Sequence, residues 1–229
     1  VRTNKPEAQL YYDSIFALYA EWGVDFIKCD DICRMDAASA KEETRMLHRA
    51  IEACGRPMVL SLSPGAARIE EAKLYEQTAN MWRITDDFWD SWHLLLDMFD
   101  RCKTWQGQAK PTGYPDCDMI PVGTIGKGFN HERQTRFTKD EQKTMMSLWC
   151  MVSSPLMLGA ELPKLDEWTL GLLTNKKVLA LATETERAEE YYRNKKMIIW
   201  KSTQIDSGDT NLAVFNISDS ALEFTLKPF

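Results

Sequence analysis

Residues 22–30 have the sequence Trp22-Gly23-Val24-Asp25-Phe26-Ile27-Lys28-Cys29-Asp30. A glycine opens this stretch, apolar side chains occupy its centre and a carboxylate closes it, which is typical of a largely buried β-strand. Apolar residues at helical spacing predict a helix on each side, over residues 7–22 and 38–54. A buried strand between two amphipathic helices indicates an α/β fold built on a parallel sheet.

The same alternation continues along the chain. Short apolar runs predict further strands at residues 58–63, 81–84, 118–122 and 155–158. Helical periodicity predicts helices at residues 67–77, 90–104, 139–152 and 166–174. Thr138 and Glu141 form a capping-box pattern at the start of the third of these helices. After residue 185 the helices stop, and short strands at residues 197–201, 212–216 and 222–226 predict a small antiparallel β domain over residues 186–229.

The composition excludes several classes of protein. Of 229 residues, 44% are hydrophobic and 27% are charged, as in ordinary globular domains. A net charge of −6 with scattered basic residues argues against a nucleic-acid surface. There is no apolar run of about 18 residues, so we expect no membrane span. The first residues lack an initiator Met and a signal-peptide core, so we interpret the chain as part of a longer polypeptide.

Carboxylates collect where the predicted strands end. Asp30-Asp31 ends one strand, Asp86-Asp87 follows another, and Asp116 and Asp118 lie beside a third. In a β/α barrel these ends share one face and one pocket. Two carboxylates in one pocket can cleave a glycosidic bond, one as nucleophile and the other as acid and then base. Lys28 projects to the same side of its strand as Asp30, where we expect it to lower the pKa of that carboxyl.

Four segments resemble glycoside hydrolase family 27, the α-galactosidase and α-N-acetylgalactosaminidase family. Residues 22–30 resemble its nucleophile strand, and residues 82–92 resemble the segment that carries its acid/base. Residues 116–119 are similar to its Asp-Pro-Asp-Met stretch, and residues 153–157 to its eighth-strand region. The resemblance implies a (β/α)8 TIM barrel followed by an antiparallel β domain.

The resemblance also implies roles for single residues. Asp30 matches the nucleophile of a retaining mechanism, and Asp87, four residues after Arg83, matches the acid/base. Lys28, Arg83 and Asp118 are expected to position the sugar, and Ser63 to face its 2-substituent. No cofactor and no metal ion are implied. The expected partner is a galactoside-type carbohydrate, and the oligomeric state stays open. Related enzymes suggest an extracytoplasmic location.

The chain departs from the family in two places. In the family, residues on the first three barrel strands bind the galactose 4- and 6-hydroxyls. This chain has no counterpart of those strands, so residues 1–185 are expected to form the second half of the barrel. Where α-galactosidases have Cys-Glu-Trp after the fifth strand, this chain has Leu62-Ser63-Pro64. Leu62 removes one cysteine of the family's disulfide, and Ile32 replaces its partner. Ser63 leaves more room near C2 of the sugar than Glu would.

An α-galactosidase is the first expectation. An α-N-acetylgalactosaminidase or a β-L-arabinopyranosidase on the same scaffold is the alternative. Two other classes stay open at this point. One is a phosphoryl-transfer or hydrolase site in which Asp30, Asp31 and Asp118 hold Mg²⁺. The other is a carbohydrate-binding protein without turnover.

Overall fold

The structure, a computed structural model, describes residues 1–109 and 112–225. The α-helices in this part are α1 (Pro6–Glu21), α2 (Ala40–Ala53), α3 (Ala72–Thr78), α4 (Trp92–Trp105), α5 (Lys139–Met151), α6 (Glu167–Leu173) and α7 (Lys176–Thr183). Short 3-10 turns lie at Ile69–Glu71, Lys127–Phe129 and Leu162–Lys164. The strands are β1 (Phe26–Asp30), β2 (Val59–Ser63), β3 (Met81–Arg83), β4 (Tyr114–Asp116), β5 (Thr124–Ile125), β6 (Arg133–Gln134), β7 (Thr185–Arg193), β8 (Met197–Gln204) and β9 (Thr210–Asn216).

The chain divides into two compact units. The first contains Val1–Phe88 and Gln108–Met119, and the second contains Trp89–Gly107 and the residues from Ile120 onward. The first unit is built on a four-stranded parallel sheet in the order β1-β2-β3-β4, with α1, α2 and α3 in the same unit. Sequential order of parallel strands with a helix in each connection is the expected outcome of β/α units.

Strand register gives this sheet two different faces. Residues paired in a parallel ladder project to the same side, and neighbours along a strand project to opposite sides. One side therefore carries, strand by strand, Lys28 and Asp30, Ser61 and Ser63, Met81 and Arg83, and Tyr114 and Asp116. We call this side the polar face, since six of its eight side chains are charged or belong to serine.

The opposite face of the sheet is apolar and supports the helices. It presents Leu60, Leu62 and Trp82, which are almost completely buried. The ring of Trp82 stacks on Tyr75 of α3, with 6.0 Å between the ring centroids. Position 113 has to be glycine, because a Cβ there would lie 2.9 Å from the indole of Trp82. Packing of this kind fixes the sheet so that the polar face is held rigidly.

The second unit combines α4 to α7 with a short β5–β6 hairpin and a three-stranded antiparallel sheet in the order β7-β8-β9. Trp200 of β8 is fully buried, and Phe99 of α4 packs against Phe215 of β9 with ring centroids 5.0 Å apart. The predicted capping box is confirmed at α5, where Thr138 and Glu141 each bond the other's backbone N–H.

The α/β class is confirmed, as are a parallel sheet and a separate antiparallel sheet. The strand predicted at 118–122 is wrong: β4 lies at Tyr114–Asp116 instead. Strand β4 contains Pro115, which its position at the edge of the sheet tolerates, whereas the apolar run that predicted a strand at 118–122 lies just after it. Asp118 has a positive φ of 70° that ends extended structure there.

Two other strand predictions are wrong, and several elements were missed, among them the β5–β6 hairpin. Of residues 155–158, only Leu158 pairs, in an isolated bridge to Ile120. Residues 222–225 form no strand, and Leu226 lies outside the described residues. Helix α7 and strand β7 were not predicted. Strand β7 has the polar sequence Thr-Glu-Arg-Ala-Glu-Glu-Tyr-Tyr-Arg, and it is stabilised by pairing with the apolar strand β8 rather than by its own hydrophobicity.

No helix in the described ranges combines the length and the apolar character that crossing a membrane requires. The barrel itself and the boundary at residue 185 stay predictions.

The capping box gives a test of the second unit's stability. Replacing Thr138 by Ala leaves the Glu141 N–H without its partner, so we expect the free energy of unfolding to fall by about 1 kcal/mol. Thr104→Ala is the matched control, because that exposed hydroxyl only bonds a carbonyl within α4. Urea denaturation measures both variants. Equal stability of the two variants would contradict the capping role.

Candidate functional site

The upper row of the polar face consists of the residues that end the four parallel strands. Asp30 pairs in register with Ser63, and Arg83 pairs with Asp116. The ladder between β2 and β3 pairs Ser61 with Met81, which brings Ser63 and Arg83 to the same level. The carboxyl ends of the parallel strands thus collect two carboxylates, a guanidinium and a hydroxyl along one edge, as the sequence predicted for Asp30, Ser63 and Arg83.

Backbone geometry holds Asp30 at the end of β1. Asp31 N–H donates to the Ser63 carbonyl at 3.0 Å, which continues the ladder by one residue. Asp31 itself has a positive φ of 61°, a conformation that aspartate tolerates better than most residues. The chain therefore turns sharply after Asp30, and the strand pairing holds its Cα next to that of Ser63.

The guanidinium of Arg83 organises the next part of the site. Its side chain is 7% exposed, and its Nη1 lies 2.9 Å from Asp87 Oδ1. Its Nε donates to the Thr85 carbonyl at 2.9 Å. Asp87 is 73% exposed at its side chain, so its carboxylate stands at the solvent side of a buried cation. An ion pair with a buried guanidinium restrains the position of the carboxylate.

Asp118 connects the strand ends to the loop that carries Asp87. One carboxylate oxygen accepts the Phe88 backbone N–H at 2.8 Å and lies 3.7 Å from Arg83 Nη1. The other lies 3.8 Å from Lys28 Nζ. A buried carboxylate with two cations and an amide donor is compensated for the loss of water. The same bond to Phe88, the residue after Asp87, restrains the loop at that point.

Asp116 accepts a hydrogen bond from the backbone of Asp118, and it was not among the predicted site residues. Its Oδ1 accepts the Asp118 backbone N–H at 2.8 Å, in the turn where Asp118 has a positive φ. Burial raises the pKa of Asp116 to about 6, and the negative charge of Asp118 adds to the rise. The hydrogen bond and the charges of Lys28 and Arg83 oppose it. The sequence shows the carboxylate at a strand end but not its burial.

Ser63 is fully buried, and within residues 1–109 and 112–225 its Oγ has no hydrogen-bond partner. A buried hydroxyl without a partner costs free energy, and such groups in native proteins are often completed by a ligand or water. The Ser63 hydroxyl can therefore still form a hydrogen bond, which is compatible with its predicted contact with a sugar.

The structure brings four predicted residues into direct contact and places two beside them. Lys28, Arg83, Asp87 and Asp118 form one network of ion pairs. Asp30 and Ser63 share the polar face as register partners. The influence of Lys28 on the pKa of Asp30 stays a prediction, and the contact that Lys28 makes is with Asp118.

The arrangement disfavours the magnesium hypothesis. Asp31 bonds Arg34 Nε at 2.6 Å, and Asp118 faces Lys28 and Arg83. Cations already compensate both carboxylates. In residues 1–109 and 112–225, no three or more His, Cys, Asp or Glu side chains are grouped so that they could hold a metal ion. All six cysteines are free thiols, including Cys29 next to the site.

The chain is similar to known α-galactosidases and related glycosidases. The family model described as alpha galactosidase A matches residues 3–184. Alpha-galactosidase 2 of Arabidopsis thaliana is 30% identical over 163 residues, which cover 71% of this chain and 38% of the relative. A solved β-L-arabinopyranosidase of glycoside hydrolase family 27 from Geobacillus stearothermophilus is 50% identical with a TM-score of 0.91, covering 96% of this chain and 51% of that one. A protein from Bacillus halodurans assigned as an α-N-acetylgalactosaminidase is 46% identical with a TM-score of 0.79, again over 96% and 51%. This chain therefore spans about half the length of those solved relatives, and less of the plant enzyme.

The raised pKa of Asp116 generates a test of the site's electrostatics. A carboxyl with a higher pKa in the folded than in the unfolded state stabilises the fold below the unfolded pKa, and this contribution is lost as the pH rises through the folded pKa. Between about pH 4 and pH 6 we expect Asp116 to lower the free energy of unfolding by an amount on the order of 2–3 kcal/mol.

Asp116→Asn retains an acceptor for the Asp118 N–H but does not titrate. Its stability relative to the parent should therefore rise from pH 4 to pH 6 and then become constant. Asp206→Asn, in an exposed turn of the second unit, is the control and should follow the parent. Denaturant unfolding at several pH values measures the difference. Parallel curves for Asp116→Asn and the parent would contradict the burial of a titrating carboxyl.

Proposed function

Since this chain belongs to the α-galactosidase family, glycoside hydrolase family 27, we propose that it carries the catalytic carboxylates of a retaining glycosidase acting on terminal α-D-galactosides. One observation carries this proposal: Asp87 is anchored on the buried guanidinium of Arg83, at the same strand ends as Asp30. The family supplies a nucleophile and an acid/base for these two positions.

In the first step Asp30 attacks the anomeric carbon while Asp87 gives its proton to the departing glycosidic oxygen. A covalent glycosyl–Asp30 ester forms and the leaving group departs as an alcohol. In the second step Asp87, now ionised, takes a proton from water, and the water oxygen attacks the anomeric carbon. The C–O bond to Asp30 breaks, so two inversions give net retention. Carboxyl groups about 5–6 Å apart are expected for this mechanism.

The surroundings of Asp87 suit its role. Its carboxyl is exposed beside Arg83, so a leaving group and a water molecule can reach it. Arg83 and Lys28 are cations with N–H donors, and Asp118 is an acceptor, so together they offer both kinds of hydrogen bond to sugar hydroxyls. We assign the positioning of the sugar to these three residues.

We further propose that residues 1–185 belong to the second half of a (β/α)8 barrel and that the first unit supplies four of its strands. Its four parallel strands in sequential order, each with a polar C-terminal end, match that architecture. Strand β1 is an edge with exposed Phe26, which a further strand would cover in a closed barrel. The share of the solved relatives that this chain spans agrees with half a barrel.

A β-L-arabinopyranoside is the second candidate substrate. The observation that favours it is the solved arabinopyranosidase, which is more similar in sequence than the plant α-galactosidase. The two sugars have the same configuration from C1 to C4, and the arabinopyranoside lacks only the hydroxymethyl group on C5. An α-N-acetylgalactosaminide is supported by the smaller side chain of Ser63, which leaves room for a 2-acetamido group.

Hydrolysis of aryl glycosides by the full-length protein tests the proposal. The substrates are the aryl α-D-galactoside, β-L-arabinopyranoside and α-N-acetylgalactosaminide, each assayed beside Asp30→Ala. We expect turnover of at least the first or second substrate and a loss in Asp30→Ala on the order of 10⁴-fold or more, because no covalent intermediate can form. NMR of the first-formed sugar should show the anomer of the substrate.

Three results would change the proposal. The opposite anomer as first product would reject Asp30 as nucleophile. Full activity of Asp30→Ala would reject the site. Sugar binding by calorimetry without hydrolysis of any of the three would indicate a carbohydrate-binding protein.

Ser63 provides a separate test of sugar contact. Ser63→Ala removes a buried hydroxyl that has no hydrogen-bond partner among the residues that the structure describes, so the free energy of unfolding should stay the same or rise by about 1 kcal/mol. If the hydroxyl bonds the sugar, kcat/KM should fall about five- to tenfold for the preferred substrate. Ser61→Ala, one layer lower on the polar face, is the matched control. A stability loss without a kinetic effect would assign Ser63 to packing.

A further inference from the structure

A buried carboxylate lies close in sequence to the proposed acid/base, and the mechanism above does not use it. This is Asp90, three residues after Asp87, in the loop of residues 84–91 that leads from β3 to α4. The Asp90 side chain is only 1% exposed. A carboxylate removed from water in this way requires both a charged partner and hydrogen-bond donors. The groups that supply them determine where this part of the loop is held.

Arg133 of β6 holds the Asp90 carboxylate with both ends of its guanidinium. Its Nη1 donates to Oδ2 at 2.5 Å, and its Nη2 donates to Oδ1 at 2.7 Å. The backbone N–H of Arg136 donates to Oδ2 at 2.6 Å. Burial acts to raise the pKa of Asp90, but the hydrogen bonds from Arg133 and Arg136 outweigh it and keep this pKa below its ordinary value. Two parallel hydrogen bonds restrain the orientation of the carboxylate as well as its position.

The strand that carries Arg133 is itself held by backbone bonds. Arg133 pairs in register with Ile125 in the β5–β6 hairpin. One hydrogen bond beyond the hairpin strands, the Thr135 N–H donates to the Gly123 carbonyl at 2.8 Å. The partner of Asp90 therefore lies on a hydrogen-bonded hairpin, and Asp90 is fastened to an element with a defined backbone.

A ring contact joins the same two segments beside the ion pair. Trp89, the residue before Asp90, lies edge-on to Phe129 in the connection between β5 and β6, with 5.5 Å between the ring centroids. Two consecutive residues of the loop thus contact the hairpin, one through aromatic rings and one through charged hydrogen bonds. The two contacts differ in chemistry, and both restrain the same stretch of backbone.

These contacts complete the restraint of the loop around Asp87. Before Asp87, the Thr85 carbonyl accepts a hydrogen bond from Arg83. After it, the Phe88 N–H donates to Asp118. A single hydrogen bond is a point about which the backbone can still pivot. Asp90 adds a second restraint two residues later, so the direction of the chain after Asp87 is restrained as well as its position.

We propose that Asp90 is a positioning residue, which through its ion pair with Arg133 keeps the backbone of the acid/base loop in the conformation that Asp87 needs. This inference rests on the proposed function of Asp87. Asp90 is buried and acts through three residues of backbone rather than through contact with the sugar. Its loss should therefore impair the proton transfer that Asp87 performs before it impairs the attack by Asp30.

Substrates with different leaving groups separate these two steps. An alkyl leaving group needs the proton from Asp87, whereas a 2,4-dinitrophenolate departs without it. A displaced acid/base lowers kcat/KM for the alkyl glycoside and spares the dinitrophenyl glycoside. A lower fraction of folded enzyme reduces both values equally. The ratio of the two kcat/KM values is thus a readout that stability alone does not change.

The experiment compares Asp90→Asn with Glu190→Gln in the full-length protein. Glu190 of β7 is the matched control, because its side chain is 4% exposed and its Oε2 accepts from Arg193 Nε and Nη2 at 2.9 and 2.6 Å. Both variants remove one charge from a buried carboxylate paired with arginine. For Asp90→Asn we expect kcat/KM to fall about tenfold to a hundredfold on the alkyl glycoside and less than about threefold on the dinitrophenyl glycoside. Glu190→Gln should keep the parent's ratio.

Arg133 provides a second test that does not alter the buried residue. Its side chain is 31% exposed, so Arg133→Lys should fold even where Asp90→Asn does not. Lysine keeps the charge but cannot donate two parallel hydrogen bonds, so the ratio should shift in the same direction by a smaller factor. The double variant should shift the ratio no further than Asp90→Asn alone, because both changes remove one interaction.

An unchanged ratio in both Asp90→Asn and Arg133→Lys would overturn the positioning role. The same shift in Glu190→Gln would also overturn it, since loss of any buried carboxylate would then have this effect. Inactivity of the parent protein on both glycosides would instead reject the proposed function.

Discussion

In-register parallel pairing is the constraint on which the site depends. Because paired residues of β1 to β4 project to one side, Asp30, Ser63, Arg83 and Asp116 reach the same edge whatever their separation in the sequence. A shift of one residue in any strand would turn its polar side chain into the apolar face that carries Leu62 and Trp82. The stacking of Trp82 on Tyr75 and the exclusion of any side chain at Gly113 resist such a shift. Packing on the apolar face therefore fixes the positions of the side chains on the polar face.

The second requirement is that the buried charges at this edge of the sheet compensate one another. Asp118 is buried between Lys28 and Arg83 and also receives the Phe88 amide. A buried ion pair adds little net stability, but removal of one partner leaves a charge that water cannot reach. The main effect of the network is therefore to fix the positions of its side chains. Arg83 aligns Asp87, Asp118 fixes the next residue, and Asp116 fixes the turn of Asp118. Burial of these charges costs free energy, and the resulting network holds one exposed carboxylate in place.

Much of the first unit could be predicted from periodicity. Helices α1, α2 and α4 and strands β1 and β2 follow patterns with many matching positions, and the capping box locates α5 to the residue. Strand ends follow from the same patterns, so the carboxylate of Asp30 could be located early, whereas Ser63 and Arg83 were chosen from the family resemblance. The failures have a common cause. Strand β4 is three residues long and has no apolar run of its own, and polar β7 depends on its partner β8. Burial of Asp116 arises only from tertiary structure.

The chemistry within this sheet also bears on sugar selectivity. In the proposed mechanism Asp30, Asp87 and Ser63 act on C1, on the leaving oxygen and on the substituent at C2. An α-D-galactoside and a β-L-arabinopyranoside are identical at those atoms, since they differ only at C5. The proposed roles of these three residues are therefore the same for either substrate. Under this proposal, selection between the two sugars comes from side chains near C5, which the family resemblance assigns to the first barrel strands. The proposal agrees with the existence of relatives that are similar to this chain but are named for different sugars.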